Sequence, residues 1–279
     1  MSDDRPIGLF DSGIGGLTVA RAVIDALPNE DLVYVGDTAR VPWGNRAPAT
    51  IRRYSVEVAR TLAAADCKLI VVACNTASAW ALDAVRDAVG VPVIDVISPV
   101  VAALAAAHPT GRVGVIGTRG TVGSRAWPRA FATAAPGMHV VQQACPLFVP
   151  LAEEGWVDGD VPRRVAETYL ADLLAREALD AMVLGCTHYP VLRDVIGEVV
   201  ANHSATPTRL YDSATHTARA VAAHLEATGT ATARQRAGRH RWAVTDDPEQ
   251  LVDPGRHFLG QPVAHPERIE VVAEGSSAD

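Results

Sequence analysis

Two cysteines stand where the chain could do chemistry. Cys74 ends the run KLIVVAC and is followed by Asn75 and Thr76; Cys186 ends AMVLGC and is followed by Thr187 and His188. Each time an aliphatic strand breaks into small polar residues where a helix would begin, the place at which open parallel sheets gather ligands. A thiol at a helix N-terminus has its thiolate favoured by the dipole. His188, beside one thiol, could take or return a proton near neutrality. Cys67 and Cys145 lack this setting, one preceding an apolar strand and the other Pro146, and read as small buried hydrophobes.

Several chemistries compete for the pair. Zinc would want CxxC or a similar ligand spacing, and Cys186-Thr187-His188 is not a usual one. A Cys–His–Asp hydrolase needs one cysteine, whereas two occupy equivalent turns. Racemising a carbon acid needs a base on one face of Cα and a proton donor on the other, which a thiolate and a thiol supply without a cofactor. Lys68 is the single lysine and opens a strand, so neither a pyridoxal Schiff base nor a P-loop is available. Asp11 opens DSGIGG, a cluster that lacks the spacing of the dinucleotide fingerprint and puts a carboxylate where pyrophosphate would approach. The turn leaves room for a small anion near Ser12. By itself Asp11 reads as a helix-entry residue, but it shares a sheet edge with Cys74. Glu153 and Glu154, taken alone, are a solvated acidic pair.

The elements that position these residues alternate strand and helix. Strands are expected at Pro6–Phe10, Leu32–Gly36, before Cys74, and at 92–96; helices follow the glycine cluster, span 49–65, run from Cys74 to about Val89, and begin again at Ser98. The order then repeats, with strands at 112–116, 138–143, 180–185 and 208–211, a turn at GTRGTVGS and a helix at 162–177. Ile7 and Val113 lie 106 residues apart, as do Leu32 and Met138, and the two cysteines 112 apart, which suggests a duplicated unit. We therefore expect an α/β protein of two pseudo-symmetric domains with mainly parallel sheets and the active site in the cleft between them. The first domain is expected at 1–97 plus about 211–279, the second at 98–210. In the returning segment a helix to about Ala227, a polar loop, a strand at 241–245, a short helix at 247–259, a strand at 269–272 and a disordered tail are expected.

The bulk numbers restrict function further. A chain of 279 residues, 48% hydrophobic and with mean hydropathy +0.11, is globular. A net charge of −7 argues against direct nucleic-acid binding. No apolar run is long enough for a membrane span, MSDDRPIGLF does not read as a signal peptide, and four cysteines without a dense framework fit a reducing cytoplasm.

In order along the chain, FDSGIGGLTV, YVGDTARVPWG, VVACNTASA, GVIGTRGTV, CPLFVPLAEEG, LGCTHYPVL and YDSA resemble the glutamate racemases of the cofactor-independent aspartate/glutamate racemase superfamily. The likeness spans nearly everything to about Ala214, and DPEQLVDPGRHFLG resembles the family's closing segment. It implies interconversion of L- and D-glutamate with no cofactor and no metal. Cys74 would take the proton from D-glutamate and Cys186 from L-glutamate, assisted by Asp11, Glu153 and His188. Asp11, Ser12, Trp43, Gly44, Asn75, Thr76, Thr187 and His188 would contact substrate. The resemblance further implies a homodimer, D-glutamate supply to peptidoglycan synthesis and, in some members, a link to inhibition of DNA gyrase, on which this sequence is silent. The alternatives are the same chemistry on aspartate or a related amino acid, and a gyrase-regulating binding protein on the same fold. One departure is visible: Pro42-Trp43-Gly44 stands where the family usually has Pro-Tyr-Gly. A backbone contact there tolerates the indole; a contact through the tyrosine hydroxyl would be lost.

Overall fold

Residues 2–271 are described by the structure, a computed structural model. Short aliphatic runs bounded by glycine or polar turns make the strands of a first parallel sheet: β1 (Ile7–Asp11), β2 (Leu32–Gly36), β3 (Leu69–Val72) and β4 (Val93–Asp95). Between them lie the helices α1 (Leu17–Ala26), α2 (Pro48–Ala64) and α3 (Asn75–Ala88). After α4 (Ser98–Ala107) a second sheet forms from β5 (Thr110–Gly117), β6 (Gly137–Ala144), β7 (Ala181–Leu184) and β8 (Arg209–Asp212). Its helices are α5 (Arg119–Ser124), α6 (Ala126–Ala134), α7 (Phe148–Glu153), α8 (Asp160–Arg176) and α9 (Arg193–His203). The chain returns through α10 (Ser213–Thr228), β9 (His240–Val244), α11 (Val252–Phe258) and β10 (Glu267–Arg268) to extend the first sheet.

Strand order states the duplication. The first sheet runs β10-β9-β2-β1-β3-β4 and the second β6-β5-β7-β8, all pairs parallel. The first strand of each half is flanked by its second and third, so β3 and β7 are equivalent. Cys74 and Cys186 each lie two residues beyond those equivalent strands. An apolar cluster running from Leu9 and Leu17 to Leu170, Tyr189 and Phe258 joins the two halves, and α1 packs on α10 of the returning segment. Among the described residues no helix is long and apolar enough to cross a membrane.

Two expectations change. GTRGTVGS was expected as a turn and instead carries the short helix α5, which Thr118 caps by accepting from the Thr121 amide at 3.2 Å, and α6 follows directly. The last strand is only Glu267–Arg268, two residues earlier than expected. Val272 of the expected strand and the expected disordered tail lie outside the described residues, as does Met1. The polar loop after α10 is tied down, because Asp31 accepts hydrogen bonds from Arg234, Arg236 and the Arg239 amide.

Candidate active site

Cys74 follows β3 and caps α3. Its Sγ accepts from the Ala77 amide at 3.5 Å and lies 3.4 Å from the Ser12 hydroxyl, and the residue is 5% exposed. The dipole at this helix end favours a thiolate, yet burial and the nearby Asp11 carboxylate outweigh it and push the Cys74 thiol up to about 12. Cys74 is therefore held as a thiol at neutral pH.

Cys186 has a different partner set. No α-helix begins at Cys186; the chain first makes a turn, with the Tyr189 amide donating to the Cys186 carbonyl, and α9 starts only at Arg193. His188 folds back so that Nδ1 lies 3.8 Å from Cys186 Sγ while Nε2 lies 3.0 Å from Oε1 of Glu153. Burial alone would lower the His188 pKa, but its bonds to Cys186 and Glu153 prevail and raise it to about 10. A cationic imidazole thus stands beside one thiol, and a carboxylate beside the other. Glu153 comes from α7 with its side chain 41% exposed, so Glu153 and His188 meet from 35 residues apart in sequence.

One cavity of about 410 Å³ is lined by both thiols. Ser12, Trp43, Gly44, Asn75, Thr76, Glu153, Thr187 and His188 line it as well. Asp11 does not line it. It sits behind, 1% exposed, with Oδ2 accepting from the amides of Gly13 and Gly16 at 3.3 and 3.0 Å. Its own carboxylate thereby takes two N–H groups of the glycine turn that leads into α1, where a small anion was expected. Burial pushes the Asp11 carboxyl up, partly offset by His188 and the amides of Gly16 and Ser12, and Oδ1 has no partner within hydrogen-bond geometry. A second unpaired polar atom is Asn75 Nδ2, a buried donor whose amide is oriented by the Ser213 hydroxyl donating to Oδ1 at 3.4 Å. Of the two, Asn75 lines the cavity, and its free donor is what a polar ligand there would satisfy.

Several residues that hold the site were not singled out by sequence reasoning. Thr118 and Arg119 line the cavity from the start of α5, and Thr118, Thr121 and Thr76 join hydroxyls at 3.0–3.2 Å across the two halves. Thr18 on α1 donates to the Thr187 carbonyl at 2.8 Å and so pins the Cys186 turn to the first half. The Trp43 loop is braced by Arg40, which binds Asp37 at 2.7 Å, contacts Glu57 and lies 4.1 Å from the centre of the Tyr54 ring. Trp43 stacks obliquely on the same tyrosine at 5.8 Å and is 1% exposed, so the indole is accommodated. The clue to Thr118 was its place after β5, the strand equivalent to β1; nothing local marked Thr18 or Arg40. Cys67 and Cys145 are buried, with thiols pushed up by desolvation, as core residues. Among the described residues no group of three or more His, Cys, Asp or Glu is arranged to hold a metal ion.

A family profile described as Asp/Glu/Hydantoin racemase matches residues 15–221. The chain is 48% identical over 271 residues to a glutamate racemase of Geobacter metallireducens, covering 97% of this chain and 98% of that one. Its fold is similar to the crystal structure of a glutamate racemase from Francisella tularensis in complex with D-glutamate, with TM-score 0.88, 35% identity, and 96% and 98% of the two chains covered. It is also similar to a Thermus thermophilus glutamate racemase in complex with beta-chloro-D-alanine, with TM-score 0.84, 43% identity, and coverage of 96% and 98%.

Proposed function

The chain belongs to the Asp/Glu/Hydantoin racemase family, and from that premise we propose that it interconverts L- and D-glutamate with Cys74 and Cys186 as the two bases. The observation that carries this reading is the meeting of two thiols from equivalent strand ends in one cavity, each with its own ionisable partner. In the L-to-D direction Cys186, as a thiolate paired with cationic His188, takes the Cα proton and becomes a thiol. Cys74, held as a thiol, gives its proton to the opposite face and becomes the thiolate. The D-to-L direction runs the same steps backwards, and proton exchange with solvent restores the resting enzyme. Glu153 sustains the charge on His188; Asp11 favours the protonated form of Cys74 between turnovers. Ser12, Trp43, Gly44, Asn75, Thr76, Thr187 and His188 bind the amino acid, Asn75 Nδ2 being a free donor suited to a carboxylate oxygen.

Glutamate, rather than aspartate, is the substrate favoured by the relatives at 48%, 43% and 35% identity, all glutamate racemases. We extend the reading to a homodimer that supplies D-glutamate for peptidoglycan synthesis in the cytoplasm, where the free thiols stay reduced. The test is substitution. Cys74→Ala and Cys186→Ala should each lower kcat for both enantiomers by roughly a hundred- to ten-thousand-fold, with the fold retained by circular dichroism. Full activity in either variant sinks the two-base assignment.

A further inference from the structure

His188 is gripped by more than its two hydrogen-bond partners. The Phe258 ring, at the end of α11, lies 5.3 Å from the imidazole centre at an interplanar angle of 81°, an edge-to-face contact, and is 1% exposed. From the other half the backbone of Gly15 comes so close that a Cβ there would stand 2.3 Å from Nδ1 and 2.4 Å from Cε1. The helix carrying Phe258 also packs beside the turn that follows Glu153. His257 lies against Gly155, two residues past Glu153, where a Cβ would be 3.0 Å from Nε2 of His257 and φ is +72°. Phe258 is not among the residues lining the thiol cavity, so it does not reach the space where substrate would sit.

From these contacts we infer that Phe258 is a positioning residue for the Cys186 half of the reaction: it fixes the imidazole of His188 so that Nδ1 faces Cys186 and Nε2 faces Glu153. The inference rests on the proposed role of Cys186 as a base. Its physical basis is that a histidine bonded at both nitrogens can still pivot about the line joining them. An edge-on ring on one side and a bare glycine backbone on another remove that freedom. The groups facing His188 are Cys186, Glu153 and Asp11, so a tilted ring changes which charge Cys186 meets. The C-terminal returning segment thereby becomes part of the active site's frame, although the thiols lie far from it in sequence.

Iodoacetamide alkylation resolved by peptide mass spectrometry tests this without turnover, because the rate at each cysteine reports its thiolate. Phe258→Leu should slow alkylation of Cys186 relative to Cys74 by about tenfold at neutral pH. His188→Asn should lower the same ratio, and adding Phe258→Leu to it should lower it no further, since the two act through one group. Kinetically, kcat should fall with little change in KM. Phe258→Met, close in size and without the ring, serves where the leucine variant does not fold. An unchanged alkylation ratio in the folded variant, or a full additional effect in the His188→Asn background, overturns the inference. If the unmodified enzyme does not racemise glutamate, the proposed function fails instead, and the alkylation cycle still decides whether Phe258 governs His188.

Discussion

His188 and Cys74 show how two buried groups acquire different charge states, one a cation and the other a neutral thiol. Both are buried, but His188 has a carboxylate at one nitrogen and a thiol at the other, whereas Cys74 has a carboxylate behind it. The imidazolium persists below about pH 10 and is lost as pH rises through that value. An alkaline limb in kcat for L-glutamate is therefore expected there. Glu153→Gln removes one of the two interactions that raise the His188 pKa, so the limb should move to lower pH and kcat at neutral pH should fall. A pH profile of the variant on L-glutamate checks this, and an unmoved limb contradicts the role given to Glu153. The sequence made the thiols and His188 legible, because their polar neighbours had no use in a core. It left Glu153 ambiguous, since an acidic pair looks the same whether it faces water or an imidazole.

At the scale of elements, the site depends on turns that the sheet ends present and on loops that must be braced. The Trp43–Gly44 loop borders the cavity while its support lies outside it, in the contacts of Arg40 with Asp37, Glu57 and Tyr54. Arg40→Met should raise KM for glutamate by about tenfold with a smaller change in kcat, because it loosens a binding loop and leaves both thiols in place. Steady-state kinetics on both enantiomers measures the split, and a loss confined to kcat would contradict it. Strands and their order were readable from aliphatic runs and spacing. The helices α5 and α6 were not, because two glycines in RGTVGS and Pro128 in AWPRAFATA are breaker signals, and capping by Thr118 and packing of Trp127 and Phe131 into the core override them. Thr18, Arg40 and Phe258 escaped sequence reading for one reason: each acts on a partner that only the tertiary fold brings near.

Across the whole molecule, duplication places one thiol in each half, and the returning segment ties the structure together. Lys68, at the foot of β3, is 5% exposed and donates to Glu30 at 2.7 Å and to the carbonyls of Asp3 and Thr230 at 2.7 and 2.9 Å. Lys68→Ala strands a buried carboxylate and should lower stability by about 3–5 kcal/mol, whereas Lys68→Met combined with Glu30→Gln should recover part of that loss. Urea unfolding midpoints of the two variants decide it, and equal midpoints would contradict the pairing. Central to the proposed function is that one half removes the Cα proton and the other replaces it. The most direct measurement is to follow L-glutamate in D2O over the first turnovers and record deuterium at Cα in both enantiomers. Two bases predict D-glutamate that carries deuterium from its first appearance while the remaining L-glutamate keeps its protium. Deuterium entering L-glutamate as fast as D-glutamate forms, or D-glutamate that retains the original protium, would contradict it.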